Sequence, residues 1–304
     1  MLYMMAAPVL LTNLLALGRV APVQVQLGLG HPCTIGSESM DYVVGSELME
    51  TETSIMSREK GDWHETDTGD GIQDYTEQFV MLDTFSGAHD LLAHMPSASA
   101  AEEVLSHLGH NLTHKGTHIY HAVQFFKKMH PSFDQVLEGI LRGDPQAVIL
   151  VSQQASQALS GRWNETLSHH HRARLVEVPP LEEAQHHALV AASHVFLAPF
   201  GWGAGITSYE ALTMCVPVVA LPSAQFVMQF TRGQLLQADS PELLAEDISD
   251  YIEIAIRVAS NEKVRERMAS KICAARSNVL GQGKSVAREW EAFFTQALEL
   301  CTQR

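Results

Sequence analysis

The chain has 304 residues, of which 46% are hydrophobic, and it carries a formal net charge of −15 at pH 7. This length allows two modest α/β domains with substantial cores. The acidic balance argues against a nucleic-acid partner, which requires a basic surface. A nucleotide is not excluded, because a diphosphate needs only a local pocket of N–H groups and one or two cations.

The N-terminal segment is strongly apolar over residues 1–17. It has no basic region ahead of the apolar run and is at the short limit of what spans a bilayer. We therefore expect a cytoplasmic protein with no membrane partner, rather than a secretory signal or anchor. The cysteines lie far apart without CxxC spacing, which predicts reduced, buried thiols and neither a disulfide framework nor a zinc site. They are Cys33, Cys215, Cys273 and Cys301.

Short apolar runs and amphipathic runs follow one another along the chain. The segment 47–75 is acidic and polar with no helix or strand period, which predicts an exposed insertion. From residue 118 onward strands alternate with helices, which predicts a parallel sheet covered on both faces. The predicted strands are 23–27, 40–44, 79–82, 119–126, 147–151, 175–178, 195–197 and 216–221, and the predicted helices are 9–17, 100–108, 132–142, 180–192, 244–259, 262–277 and 285–301.

A glycine-rich loop follows the predicted strand at 195–197. Gly203 and Gly205 in this loop precede the hydroxyls of Thr207 and Ser208 and an acid early in the next helix, Glu210. Glycines let backbone N–H groups approach an anion, and the N-terminus of a helix adds the positive end of its dipole. The pattern predicts a phosphate site, although a plain βαβ crossover with a tight turn is equally compatible with it.

Three segments, in this order, resemble the protein O-GlcNAc transferase family of glycosyltransferases (family 41), which includes Spindly-type O-fucosyltransferases and bacterial cytoplasmic N-glycosyltransferases. They are residues 19–42, with the turn Gly30-His31-Pro32-Cys33-Thr34, continued by 75–82; residues 126–145, beginning Phe126-Lys127-Lys128; and the glycine loop with its helix and strand, 201–222. The resemblance runs, with gaps, from about residue 10 to 290.

The resemblance implies a GT-B fold, in which two Rossmann-like lobes form an α/β protein and the C-terminal lobe holds most of the donor. It implies that residues 1–84 are the end of an incomplete N-terminal lobe and that 85–117 cross between the lobes. Residues 118–284 would form the nucleotide-sugar lobe and 285–304 a C-terminal helix. The tetratricopeptide array of the family is not expected in this sequence.

The resemblance also implies roles for individual residues. Lys128 would neutralise the donor diphosphate, Thr207 and Ser208 would contact the phosphates, Glu210 would hold the ribose hydroxyls and His186 would lie near the uridine. Three of these roles have a structural alternative: an exposed lysine for Lys128, capping of the helix start for the two hydroxyls, and a surface histidine for His186. Gly203 and Gly205 would shape the loop, and His31 and Thr34 would face the cleft, where a structural cap is the alternative for His31.

The function implied is inverting transfer of a sugar, GlcNAc foremost, from a nucleotide-diphosphate sugar to a protein Ser or Thr hydroxyl, with no cofactor and no metal. Two departures from the family pattern, Ile206 in the phosphate loop and Gln229 in place of a cation, favour a rival: a catalytically degenerate nucleotide-sugar-binding or scaffold protein. An NAD enzyme is disfavoured, because no early strand is followed by GxGxxG with an acid about 20 residues on.

Overall fold

The structure is a computed structural model that describes residues 2–3, 10–27, 35–49, 76–85, 95–109, 112–200, 203–222, 229–279 and 282–302. The chain divides into two compact units. The first consists of Met1–Asp90, Ser223–Phe230 and Gly281–Arg304, and the second of Leu91–Pro222 and Thr231–Leu280.

The described strands are β1 (Leu2–Tyr3), β2 (Val25–Leu27), β3 (Tyr42–Ser46), β4 (Gln78–Leu82), β5 (His118–Ala122), β6 (Ala147–Ser152), β7 (Leu175–Val178), β8 (Val195–Leu197) and β9 (Val218–Val219). The described α-helices are α1 (Leu10–Ala16), α2 (Ala98–Leu108), α3 (Phe133–Gly143), α4 (Gln153–Thr166), α5 (His169–Arg172), α6 (Glu183–Ala191), α7 (Ile206–Thr213), α8 (Phe230–Gln237), α9 (Ile248–Ser260), α10 (Glu262–Val279) and α11 (Gly283–Thr302).

The first unit is built on a parallel sheet in the order β1-β2-β3-β4. Its core joins the sheet to the C-terminal helix α11, which buries Phe293 and Ala297 among strand residues such as Val25 and Val44. The rings of Tyr42 and Phe293 meet edge to face, with centroids 5.3 Å apart. The last helix of the chain therefore covers the sheet of the first unit.

The second unit contains a parallel sheet in the order β7-β6-β5-β8-β9. Its strands are largely apolar and mostly buried because helices pack against them. Helices α2 and α6 contact the sheet through a core that includes Leu105, Ile119 and Leu189. Strand β5 pairs with β6 on one side and with β8 on the other. The strand order therefore reverses between β5 and β8. In such sheets ligands bind beyond the carboxyl ends of the two strands that flank the reversal.

Most of the predicted elements are confirmed, and β7 and β8 have the predicted bounds. Strand β5 ends at Ala122, earlier than expected, because the chain then turns into a short 3-10 helix, Phe126–Lys128. Helices α4 and α8 were not predicted. In the described part of the chain, no helix combines the length and the apolar character needed to cross a bilayer.

The expectation of reduced cysteines is wrong for one pair. Cys215 and Cys273 form a disulfide, with Cα atoms 5.0 Å apart and a sequence separation of 58 residues. The fold brings the turn after α7 against α10, a proximity that cysteine spacing along the chain does not reveal. Cys301 has a free thiol.

Candidate functional site

The site lies in the second unit, beyond the carboxyl ends of β5 and β8. The segment after β5 ends in Lys128, and the segment after β8 contains the glycine loop. The ammonium of Lys128 donates a hydrogen bond to the carbonyl oxygen of Ala204, with Nζ and O 3.0 Å apart. The structure thus brings together two features that lie 76 residues apart in the sequence.

The loop backbone depends on its glycines. Gly203 and Gly205 have φ angles of 70° and 68°, in the left-handed region that side chains disfavour. A Cβ atom on Gly205 would meet Lys128 Nζ at 3.7 Å, an ordinary contact, so the left-handed φ angle and not crowding favours glycine here. Gly205 is the N-cap of α7 and makes no side-chain capping bond. The first N–H groups of this helix therefore face a position suited to an anion.

The two predicted phosphate-binding hydroxyls have different surroundings. Thr207 Oγ1 donates to the Ala204 carbonyl at 3.0 Å and accepts a hydrogen bond from Gln124 Nε2 at 3.0 Å. Ser208 is fully buried, and its hydroxyl lies 2.7 Å from the Gly205 carbonyl and 2.6 Å from Gln234 Oε1. Thr207 therefore lies at the loop beside Lys128, whereas the Ser208 side chain belongs to the interior.

Glu210 meets two histidines of α6. Its carboxylate oxygens lie 3.4 Å from His186 Nε2 and 3.5 Å from His187 Nε2. Burial raises the pKa of Glu210, but the two imidazoles outweigh burial and the net effect is a pKa below the ordinary 4.5. Glu210 Oε2 faces His186 Nε2 and is buried from solvent. Because its pKa lies below 4.5, the carboxylate is ionised at neutral pH.

Lys128 is half-buried, and the burial lowers the pKa of its ammonium below the ordinary 10.5. Its hydrogen bond goes to a neutral carbonyl, and no carboxylate of the described residues forms an ion pair with it. A partly desolvated cation without a counter-charge is stabilised by an incoming anion. The electrostatics of this position therefore favour a phosphate or diphosphate.

A buried histidine that sequence reasoning missed lies behind His186. The His121 ring of β5 stacks on Phe196, with centroids 5.2 Å apart, and meets His186 edge to face at 5.8 Å. Its Nδ1 lies 3.3 Å from Ser193 Oγ. Burial, together with the charge of His186, lowers the pKa of His121 to about 3. The ring is therefore neutral and forms part of the wall that supports His186.

Sequence reasoning also missed Gln124 and His187. Gln124 is the first strongly polar residue after β5, so the rule that ligand contacts follow the carboxyl ends of strands could have found it. His187 has no such signal, because its contact with Glu210 depends on how α6 packs. The predicted residues His31 and Thr34 lie outside the described part of the chain.

The comparisons with known proteins agree on this architecture. Residues 113–285, more than half of the chain, match the model of glycosyl transferase family 41. The matched range contains both Lys128 and the glycine loop. No curated protein sequence matches the chain.

Several solved structures are similar over most of the chain. A mutant O-GlcNAc transferase from Thermobaculum terrenum has a TM-score of 0.72 at 22% identity, and the match covers 93% of this chain and 49% of that one. A sucrose-phosphate synthase from Thermosynechococcus elongatus has a TM-score of 0.56 at 15% identity, covering 91% and 68%. A UDP-forming α,α-trehalose-phosphate synthase from Burkholderia xenovorans has a TM-score of 0.55 at 14% identity, covering 90% and 67%.

The chain spans about half the length of the T. terrenum protein. At these identities the structural likeness concerns the fold, which is of the GT-B type with Rossmann-like α/β architecture. The family match rests on the residues of the second unit and its site. The chain belongs to glycosyl transferase family 41.

Proposed function

We propose that this protein transfers a sugar, GlcNAc foremost, from a nucleotide-diphosphate sugar to a Ser or Thr hydroxyl of a protein acceptor in the cytoplasm. One observation carries the proposal: the half-buried ammonium of Lys128 lies at the Ala204 carbonyl, beside the N-terminus of α7. This arrangement of a cation and the N–H groups at the N-terminus of a helix suits a diphosphate.

The donor would extend from the loop toward α6. The diphosphate would lie between Lys128 and the first turn of α7, within reach of the Thr207 hydroxyl. The ionised carboxylate of Glu210 would accept hydrogen bonds from the ribose hydroxyls, because a carboxylate oxygen accepts more than one. His186, which lies 3.4 Å from that carboxylate, would then be next to the base.

The reaction would be a direct displacement with inversion. The acceptor oxygen forms a bond to the anomeric carbon while the bond from that carbon to the phosphate oxygen breaks, and the nucleoside diphosphate leaves with the electron pair. Lys128 and the N–H groups of α7 would stabilise the growing negative charge, a type of contribution typically worth about 3–4 kcal/mol for each donor. The proposal requires no metal, and it keeps His31 and Thr34 as predicted residues that face the cleft, where His31 would contact the donor or the acceptor.

One observation favours the rival, a nucleotide-sugar-binding or scaffold protein without turnover. Ile206, the first residue of α7, leaves 59% of its surface exposed at the phosphate loop. An apolar side chain at this position makes no hydrogen bond to a phosphate. Binding would then depend on backbone N–H groups and Lys128, with fewer contacts that strengthen as the leaving group develops charge.

The experiment is calorimetric titration of the whole protein with UDP, GDP and UDP-GlcNAc, followed by a transfer assay with radiolabelled UDP-GlcNAc and protein acceptors rich in Ser and Thr. Binding of UDP and transfer of label support the proposal. Binding of UDP or UDP-GlcNAc without transfer of label supports the rival. Failure to bind any nucleotide or nucleotide sugar would overturn both.

A further inference from the structure

The helix that carries the donor site is cross-linked at its other end. The disulfide between Cys215 and Cys273 joins the turn after α7 to α10 and closes a loop of 58 residues. Helix α7 has only eight residues, of which Thr207 is the second and Glu210 the fifth. The cross-link and the candidate donor contacts therefore lie on one short element.

The turn at the end of α7 has a conformation that needs support. The N–H of Cys215 donates to the Leu212 carbonyl at 3.0 Å, and the N–H of Val216 donates to the Ala211 carbonyl at 2.9 Å, which is the Schellman pattern. Cys215 itself has a φ of 59°, in the left-handed region where this position usually carries glycine. A cysteine stays there only where surrounding contacts hold it.

Helix α10 supplies those contacts at two neighbouring points. Cys273 forms the disulfide, and Arg276, three residues later and so on the same face, donates to the Thr213 carbonyl at 3.4 Å. Both contacts hold the last turn of α7. Because this helix is too short to be stable by itself, its position depends on such tertiary contacts.

The disulfide is accessible from one side only. Cys215 is buried, with 7% of its surface exposed, whereas Cys273 is exposed. Cys273 is therefore the half of the disulfide that a thiolate from solution would attack. In the cytoplasm, where we place this protein, disulfides are usually transient and redox-sensing rather than structural.

We propose that the Cys215–Cys273 disulfide is a redox-controlled clamp on α7, closed when oxidised and released by a dithiol reductant, and that its release weakens nucleoside-diphosphate binding. The second half of this statement rests on the proposed function. The clamp acts on the helix whose N-terminus and Glu210 side chain form the candidate donor site.

The chemistry is a two-step thiol–disulfide exchange. One thiolate of the dithiol attacks Cys273 Sγ, the Cys215–Cys273 bond breaks, and the Cys215 sulfur leaves with the electron pair and takes a proton. The second thiolate of the dithiol then attacks the dithiol sulfur that is bonded to Cys273. This releases the Cys273 thiolate, which also takes a proton. The dithiol becomes a cyclic disulfide and loses the two electrons that the protein disulfide gains.

Release should loosen α7 rather than unfold the unit. The Schellman bonds and the Arg276 contact remain, but the left-handed Cys215 loses its covalent support. Donor binding must then restore the order of the helix, and the affinity for UDP should fall about five-fold or more, as is typical of coupled sites.

The experiment compares the whole protein, oxidised and after treatment with dithiothreitol, by three measurements: alkylation of Cys273 mapped by mass spectrometry, hydrogen exchange of residues 206–213, and calorimetric titration with UDP. We expect alkylation only after reduction, faster exchange in α7, and weaker UDP binding. Cys273→Ser should reproduce the reduced protein without reductant, and Cys301→Ser, which alters the free thiol, should behave as the unmodified protein does.

A second variant separates the clamp from backbone strain. In the double variant Cys215→Gly with Cys273→Ser, glycine relaxes the left-handed turn while the cross-link is absent. Faster exchange in α7 of this variant supports the clamp. Exchange in this variant that is as slow as in the oxidised protein overturns the clamp. The clamp is also overturned if Cys273 of the unmodified protein is alkylated without reductant and resists oxidation. If UDP binds in neither redox state, the proposed function fails and the exchange of α7 alone decides the clamp.

Discussion

The ammonium of Lys128 lies 3.0 Å from the carbonyl oxygen of Ala204. The same carbonyl accepts a hydrogen bond from Thr207 Oγ1, also at 3.0 Å. One backbone oxygen therefore holds the cation and the hydroxyl on the same side of the glycine loop. Groups that are held in place in this way stabilise charge without reorganising when it develops.

The first prediction concerns the two adjacent lysines. Lys128→Ala should weaken UDP binding by about 1–3 kcal/mol, because a charged hydrogen-bond partner of the diphosphate is lost. Lys127→Ala is the matched control, since Lys127 is exposed and its Nζ lies over the Phe125 ring, 5.7 Å from the centroid. Calorimetric titration with UDP checks both variants. Equal losses in the two variants would show that Lys128 acts only through net charge.

The second prediction separates Thr207 from Ser208. Thr207→Val should lower UDP affinity while changing stability by only about 1 kcal/mol, since its hydroxyl lies at the loop. Ser208→Ala should instead lower the free energy of unfolding by about 1–3 kcal/mol, because the buried Oε1 of Gln234 loses its partner. Urea denaturation and UDP titration of both variants check this. A larger loss of affinity in Ser208→Ala than in Thr207→Val would contradict the assignment.

The third prediction divides the proposed donor site into a phosphate half and a ribose half. Glu210→Gln removes the charge that the two histidines face and replaces one accepting oxygen with an amide nitrogen. Affinity for UDP should fall by about 1–3 kcal/mol, whereas affinity for inorganic pyrophosphate, which has no ribose, should be unchanged. Lys128→Ala should weaken both ligands. Competition titrations measure these values, and an equal loss for UDP and pyrophosphate in Glu210→Gln would disprove the ribose role.

The sequence predicted the elements whose apolar side chains determine their structure. The bounds of β7 and β8 are those read from their short apolar runs, and α3 follows its apolar face from Phe133 to Leu141. The glycine loop at the start of α7 was predicted from its residues and from its place between two strands. The proximity of this loop to Lys128 was implied only by the family resemblance, because 76 residues separate the two and no local pattern links them.

Helix α4 shows why other elements were missed. It buries few apolar residues, and it is held instead by polar contacts to the carboxylate of Asp134. Arg162 Nε donates to this carboxylate at 2.8 Å and Trp163 Nε1 donates to it at 3.0 Å. Hydrophobic periodicity cannot reveal a helix of this kind, because its partner lies on another element. The contact of His187 with Glu210 and the disulfide of Cys215 escaped prediction for the same reason.

The last prediction concerns acid stability and the buried His121. The pKa of this histidine is about 3 in the folded protein, against an ordinary 6.5, because burial and the charge of His186 disfavour its protonation. Between these two values the unfolded chain binds a proton that the folded chain does not. Stability therefore falls as the pH falls from 6.5 towards 3, by up to about 1.4 kcal/mol per pH unit. The half-buried His194, whose pKa is lowered to about 4, contributes in the same direction.

The test isolates His121 from the carboxylates, which also titrate in acid. The free energy of unfolding is measured by urea denaturation at neutral pH and at a pH between the two values, in the unmodified protein and in His121→Phe. The variant can be less stable at both values, because its ring must fit beside Phe196 in a closely packed wall. Its loss of stability between neutral and acid pH should nevertheless be smaller, since the titrating ring is gone while His194 remains. Equal losses in the two proteins would mean that His121 takes up its proton without unfolding and is not held neutral by its surroundings.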